Sequence, residues 1–353
     1  MCNNKRKKSY FWWGVITFLL LLCSIAGALA KYINPIDSVI CHYFGLGLPI
    51  ILILDVVMII IWIILRKPGA AICPLIAILI NFGFIYNMFG FDSVNETPKD
   101  LRVATYNVHG FYGASTESAY RVSSLLSEAK VDIVSMQEYE AGNDSIVNSC
   151  FNFFTYGIRE GEHAIYSKYP IIRHYYSKFE GSGFSYLWAD IDCYDTVLRV
   201  ISAHLQTTGV TSSISDYQKY GSSVLQWINN NFAYNVQVRT LQMQKILSIA
   251  DTTKIPLLVC MDMNDTPASY IYKSLKKEMN DDFTSCGTGY ASTYYGAKNM
   301  MRIDYIFFSR DFIGLRRNTS SVRCSDHKAV ILDLKMEKQE NRESQEQAAL
   351  LVP

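Results

Sequence analysis

Long uninterrupted apolar blocks open this chain, and short alternating ones follow. The blocks Tyr10–Ala30, Tyr43–Leu65 and Ala70–Phe91 each run to about 20 residues, the length a helix needs to cross a hydrocarbon layer of roughly 30 Å. One block behind Lys5–Lys8 would read as a signal peptide, but three in succession predict a polytopic anchor. The alternative, a buried hairpin of a soluble protein, fits this length and charge pattern poorly. Lys5–Lys8 and Arg66-Lys67 mark the cytoplasmic ends, and the loop between the first two blocks carries only Lys31. Three crossings then place everything after Asp92 outside the cytoplasm. Asp55 interrupts the second block and is expected to pair with another helix or to lie near water.

Beyond a short polar linker, 92–100, the pattern changes to periods of two and 3.6. Strands are predicted at Leu101–Val108, Val131–Met136, His163–Ser167, Tyr186–Ile191, Leu198–Leu205, Ile255–Met261, Arg302–Phe308 and Ala329–Leu334. Helices are predicted at Ser115–Ala129, Gln237–Ala250 and Ala268–Glu278. Many strands with few interleaved helices predict an α+β fold of two packed sheets with outer helices. The organisation is a membrane anchor over 1–91, the linker, one domain over 101–335, and a Glu/Gln/Lys-rich tail over 336–353 expected to be disordered.

Charge sharpens this division. Residues 1–91 hold seven Lys/Arg and two Asp, a net +5, which leaves −4 for the remainder of a chain whose total is +1. A mildly acidic domain lacks the basic stripe that follows a nucleic-acid backbone, although a bound cation neutralises phosphate locally. The five cysteines after residue 91 include no CxxC pair, so no zinc site is suggested.

Polar side chains recur at the ends of these strands: Asn107, Glu138, His204, Asp262, Asn264, Asp304, Asp326 and His327. Singly, each has an ordinary explanation as a turn or solvated residue. Together they converge, because residues at the same end of neighbouring strands face one cleft. Two carboxylates and an imidazole in Arg302-Ile303-Asp304-Tyr305 and Ser325-Asp326-His327 are the parts needed to hold a divalent cation and orient a histidine.

The ordered motifs Thr105-Tyr106-Asn107-Val108-His109-Gly110, Gln137-Glu138, Ala164-Ile165-Tyr166-Ser167, Ser202-Ala203-His204, Asp262-Met263-Asn264-Asp265, Arg302-Ile303-Asp304-Tyr305 and Ser325-Asp326-His327 resemble the endonuclease/exonuclease/phosphatase superfamily. The resemblance covers Leu101 to Leu334. It implies a deoxyribonuclease I-like, four-layer α/β/β/α sandwich and metal-dependent hydrolysis of phosphoesters. It also implies Glu138 as the principal ligand of Mg²⁺ or Mn²⁺, with Asn107 beside it and Asp326 as a further candidate. Asp262 would take a proton from the attacking water, and Asn264 would hold that water or a phosphate oxygen. His327, oriented by Asp304, and His204 would face the scissile phosphate. Whether Asp262 or the His327–Asp304 pair is the general base stays open. Arg239, Tyr294 and Arg302 are the candidate substrate contacts, although Arg239 with Gln242 resembles the family's Arg-x-x-Gln and is expected to brace the sheet sooner than to touch phosphate.

Two departures from the family pattern stand out: Met261 replaces a glycine before Asp262, and Glu162-His163 replace small residues before Ala164. His163 is either a core-edge residue or a substrate contact. The segment Gln206–Val238, with a short helix expected at Ser222–Asn230, is either a surface insertion or a lid. Two further functions remain in view: a phospholipid or sphingomyelin-type phosphodiesterase at the bilayer, which the three helices suggest, and a non-catalytic binding module or scaffold. Partners are accordingly a phosphodiester or phosphomonoester, nucleic acid among them, and the bilayer. Nothing in the sequence sets the oligomeric state.

Overall fold

The computed structural model describes residues 2–91, 95, 97–140, 145–194, 196–209, 224–320 and 322–337. The chain divides into two compact units. The first comprises Met1–Met88, Val210–Thr240 and Asp265–Ser274; the second comprises Phe89–Gly209, Leu241–Asn264 and Leu275–Pro353.

In the first unit, α1 (Cys2–Leu29) with the 3-10 turn after it, and α2 (Ile40–Ile64), give two stretches long and apolar enough to cross a membrane, Tyr10–Tyr32 of 23 residues and Ile40–Ile64 of 25. The third apolar block is not one straight helix: α3 (Ile72–Ile80) and α4 (Phe82–Met88) meet at a 57° bend. Asn81 sits at that bend and donates its amide to the carbonyl of Ala77, one turn earlier, and to that of Ser24 on α1, a side chain inserted where the helix breaks. The block's last residues, Phe89–Phe91, leave the helix and form strand β1. Polar side chains turn inward. Ser24 Oγ donates to Asp55 Oδ2 at 2.6 Å, and Trp62 Nε1 donates to Thr17 Oγ1 at 2.9 Å. Asp55 therefore pairs with another helix, while Ile53, Ile60 and Ile63 face outward. Polar inside and apolar outside is the arrangement expected of helices in lipid.

The second unit contains two six-stranded mixed sheets. One is ordered β13 (Phe312–Thr319), β14 (Val330–Met336), β2 (Leu101–Asn107), β3 (Ile133–Gln137), β5 (His163–Ser167), β4 (Tyr156–Glu160). The other is ordered β10 (Asn280–Asp281), β12 (Asp304–Phe308), β9 (Leu257–Asp262), β8 (Thr196–His204), β7 (Ser185–Cys193), β6 (Ile171–Lys178). The remaining pair, β1 with β11 (Thr288–Tyr290), is a short ribbon.

The period-two pattern of β2 shows how the layers form. Leu101 and Val103 pack between the sheets with Leu187, Val200, Leu258 and Ile306. Ala104 and Tyr106 point the other way, against Val122 and Leu126 of the helix Thr116–Glu128. Opposite, Met243 and Ile246 of the helix Val224–Thr252 are buried. The result is the expected α+β sandwich. The helix predicted at Gln237–Ala250, and that predicted at Ser222–Asn230 from Val224 onward, fall in this single helix; 210–223 of the proposed lid and the tail from 338 lie outside the described residues.

Six strands carried no strand expectation in the sequence: β1, β4, β6, β10, β11 and β13. All are edge strands. With one partner and a largely exposed surface, as along β6, an edge strand needs neither apolar alternation nor an apolar run.

A fully buried charge cluster braces the second sheet. Arg302 Nη2 lies 2.7 Å from Asp281 and 2.6 Å from Asp282, and Arg317 Nε donates to Asp282 at 2.9 Å. Asp282→Ala would leave two buried guanidinium groups short of a counter-charge. The expected cost is about 3–5 kcal/mol, read in a thermal melt as a fall of about 10 °C or more. An unchanged melt would show the cluster to be energetically neutral.

Candidate active site

Strand register gathers the polar strand ends. β8 and β9 run parallel with His204 opposite Asp262, and antiparallel β12 brings Asp304 opposite the same Asp262. In the facing sheet, parallel β2 and β3 place Asn107 opposite Gln137, and Glu138 follows with φ +52°. The two rows meet through Asn107, whose Nδ2 donates to Glu138 Oε1 at 2.8 Å and to Asp262 Oδ2 at 2.9 Å. Its oxygen accepts from the His109 backbone, so Asn107 braces two carboxylates. For it to ligate a cation beside Glu138, the amide must turn over.

Asp262 is the centre of the group. It is 1% exposed, and its second oxygen accepts from the Asn264 backbone at 2.9 Å. Two carboxylate–imidazole pairs flank it. His327 Nδ1 is 2.9 Å from Asp304 Oδ2, with Nε2 3.8 Å from Asp262 Oδ2. His204 Nδ1 is 3.0 Å from Glu162 Oε2, with Nε2 3.7 Å from both Asp262 and Glu138.

The electrostatics follow from burial and these pairings. Burial, reinforced by Asp304, raises the Asp262 carboxyl above the usual carboxylate range against the pull of both imidazoles. Burial alone would lower His327, but Asp304 and Asp262 outweigh it and raise the imidazole to about 10. His204 is likewise raised despite burial, chiefly by Glu162, whose own carboxyl is lowered in return. His204 Nε2 is buried and without a hydrogen-bond partner. An orphaned nitrogen within reach of two carboxylates suits an anion or cation that completes the site. Glu138, His204 and Asp262 form one group whose ligand atoms could hold a metal ion, and Asp262, Asp304 and His327 form another. In the second, His327 Nδ1 already engages both Asp304 oxygens. Glu138 and Asp326, at 27% and 32% side-chain exposure, are the accessible carboxylates, and His109 lies 3.5 and 3.4 Å from them.

Asn264 is fixed by its amide on the Leu205 carbonyl. Tyr294 lies beside His327, ring centroids 4.9 Å apart. Arg302 and Arg239 do not join the group. Arg302 is fully buried on Asp281 and Asp282, and Arg239, at 1% exposure, sits 2.6 Å from Asp265. Burial on internal carboxylates removes both from the substrate contacts and leaves Arg239 in a bracing role, the other reading of its sequence position. His163 is fully buried, bonded to Ser202 and the Ser185 carbonyl, and burial lowers it to about 4, so it is a core residue. Glu162 was not among the expected site residues. It occupies the two-residue loop between β4 and β5, where Gly161 at φ +59° makes the turn. Glycine followed by an acid between alternating strands is a hairpin signal, and read as one it would have placed that acid at a strand end.

Comparison with known proteins agrees with this geometry. A family model described as the Endonuclease/Exonuclease/phosphatase family matches residues 104–327. The chain belongs to that family. Its members are phosphoesterase hydrolases. A second model, a domain of unknown function, matches residues 8–88. No curated protein matches. Among solved structures, an endonuclease/exonuclease/phosphatase from Bacteroides vulgatus is 17% identical, with a TM-score of 0.52 over 68% of this chain and all of that one. A functionally unknown conserved protein from Enterococcus faecalis V583 gives the same identity and TM-score, over 67% of this chain and 100% of its own. A humanized D. rerio TDP2 is 15% identical, with a TM-score of 0.50 over 67% of this chain and 99% of its own. At these identities the likeness is one of fold.

Proposed function

We propose that this chain is a membrane-anchored, divalent-cation-dependent phosphoester hydrolase whose second unit works outside the cytoplasm. The observation that carries the reading is Asp262, buried and bracketed by two carboxylate–imidazole pairs beside the Asn107–Glu138 brace. Glu138 holds the cation, Mg²⁺ or Mn²⁺, with Asp326 and a turned Asn107 as the other oxygen donors. When bound, the cation neutralises charge on the phosphoryl oxygens. Asp262, whose carboxyl burial raises above the usual carboxylate range, accepts the proton of the attacking water, whose oxygen joins phosphorus as the ester oxygen departs. Asn264 holds that water or a phosphate oxygen. His327, protonated at neutral pH, and His204 direct Nε2–H at the phosphoryl oxygens, where charge grows.

The substrate is a polar phosphodiester or phosphomonoester, a nucleic acid being one class. Tyr294 beside His327, and Tyr295 with Arg323 at 4.9 Å and Lys328 at 5.2 Å from its ring, supply ring faces and cations next to Asp326-His327. The full chain in detergent, assayed with Mg²⁺ or Mn²⁺, is expected to turn over at least one of bis-p-nitrophenyl phosphate, p-nitrophenyl phosphate, DNA or RNA. Failure on all four would count against the reading, and turnover of sphingomyelin alone would move it to lipid hydrolysis. A reporter fused after Pro353 is expected to be active only outside the cytoplasm.

A further inference from the structure

The catalytic loop does not end in the sandwich. Asn264, which holds the Leu205 carbonyl, is followed directly by Asp265–Ser274, and that stretch belongs to the compact unit of the apolar helices. Ala268 is 3% exposed and packs in one cluster with Leu48, Leu52, Phe84 and Met88. Gly45 of α2 lies against Ala268, where a Cβ would sit at an ordinary contact distance of 3.8 Å, while the 2.8 Å approach of Ala30 is what requires a glycine there. Lys273 caps the ring of Tyr32, with Nζ 3.7 Å from its centroid. The helix segment up to Thr240 is held in the same unit. Phe232 stacks on Tyr43 with centroids 4.2 Å apart, and Gln237 donates to the Pro35 carbonyl. Arg239 ties the two segments together through Asp265, the residue after Asn264.

A tether needs none of this. A linker joining a span to a free domain leaves no stacked ring, buried alanine or cation–π contact on the helices, and domains so joined move independently. We infer that residues 8–88, the domain of unknown function, act as a clamp that positions the chain around Asp262 and Asn264, with Arg239 as the positioning residue. The inference rests on the proposed hydrolase reading for its catalytic consequence. Its physical core, a non-covalent hold on 232–240 and 265–274, does not.

The test uses the full chain in detergent, with a site for a specific protease inserted at the exposed Pro98. After cleavage, the helices and the rest of the chain are separate polypeptides held by the Phe232, Gln237, Ala268 and Lys273 contacts and by the β1–β11 ribbon, whose two short strands are too few to hold the fragments by themselves. Co-elution of the two fragments on size exclusion is expected, and release of the larger fragment would overturn the clamp. Combining Phe232→Ala with Ala268→Asp is expected to release that fragment on cleavage. It is also expected to lower kcat at least tenfold with KM little changed, since loss of alignment affects the chemical step. Release with full kcat would overturn the positioning role. Arg239→Ala is expected to lower kcat similarly, with partial rescue by Arg239→Lys. If the chain hydrolysed no phosphoester, the elution result would still decide the clamp, so the two failures are distinguishable.

Discussion

Asp262→Asn is expected to lower kcat by about a thousandfold or more, with KM changed only a few-fold, the range associated with losing a positioned general base. The substitution keeps the shape of the side chain and the bond from the Asn264 backbone. It removes the charge that two imidazoles face at 3.7 and 3.8 Å. Asp262 Oδ2 also receives the Asn107 amide; the substituted side chain presents NH2 there and that one bond is lost, at a cost of about 1–3 kcal/mol, small enough for the fold to persist. Steady-state kinetics with circular dichroism separates these effects. An active, folded Asp262→Asn protein would shift the base assignment to the His327–Asp304 pair.

His327→Ala is expected to cost about a hundredfold to ten-thousandfold in kcat, and Asp304→Asn to move the pH profile. With Asp304 and Asp262 beside it, His327 keeps its proton until about pH 10, so a rate that needs the imidazolium holds through neutral pH and falls as pH rises toward 10. Removing the Asp304 charge lowers that limb, and the alkaline fall is expected at least one pH unit earlier. The pair stabilises the fold with the same sign. An unfolded imidazole near 6.5 gives up its proton first, so the contribution is complete below about 6.5 and is lost as pH climbs to about 10. A pH–rate profile unchanged in Asp304→Asn would remove His327 from the acid role.

The parts of the site legible in the sequence are those at the ends of regular central strands. Asn107, His204 and Asp262 are the last residues of buried strands whose pattern sets their ends. Arg302 shows where that reasoning stops. Two positions before Asp304, it looks like a residue on the same face of a strand, but β12 begins only at Asp304 and Arg302 sinks to the adjacent pair Asp281-Asp282. Glu162 escaped because it belongs to a hairpin loop, where position depends on turn type rather than period. The edge strands escaped because one free side relaxes the pattern. The hold of the apolar helices on Phe232 and Ala268 is long-range packing between segments far apart in the chain, which no local pattern encodes.

The account stands most directly on the cation. The rate of bis-p-nitrophenyl phosphate hydrolysis by the full chain should fall to background in chelator and return with added Mg²⁺ or Mn²⁺. In Glu138→Ala, at least about tenfold more cation should be needed for half-maximal rate, as expected when a principal oxygen ligand is lost. A rate indifferent to chelator, or a Glu138→Ala titration superimposable on that of the unsubstituted chain, would contradict it.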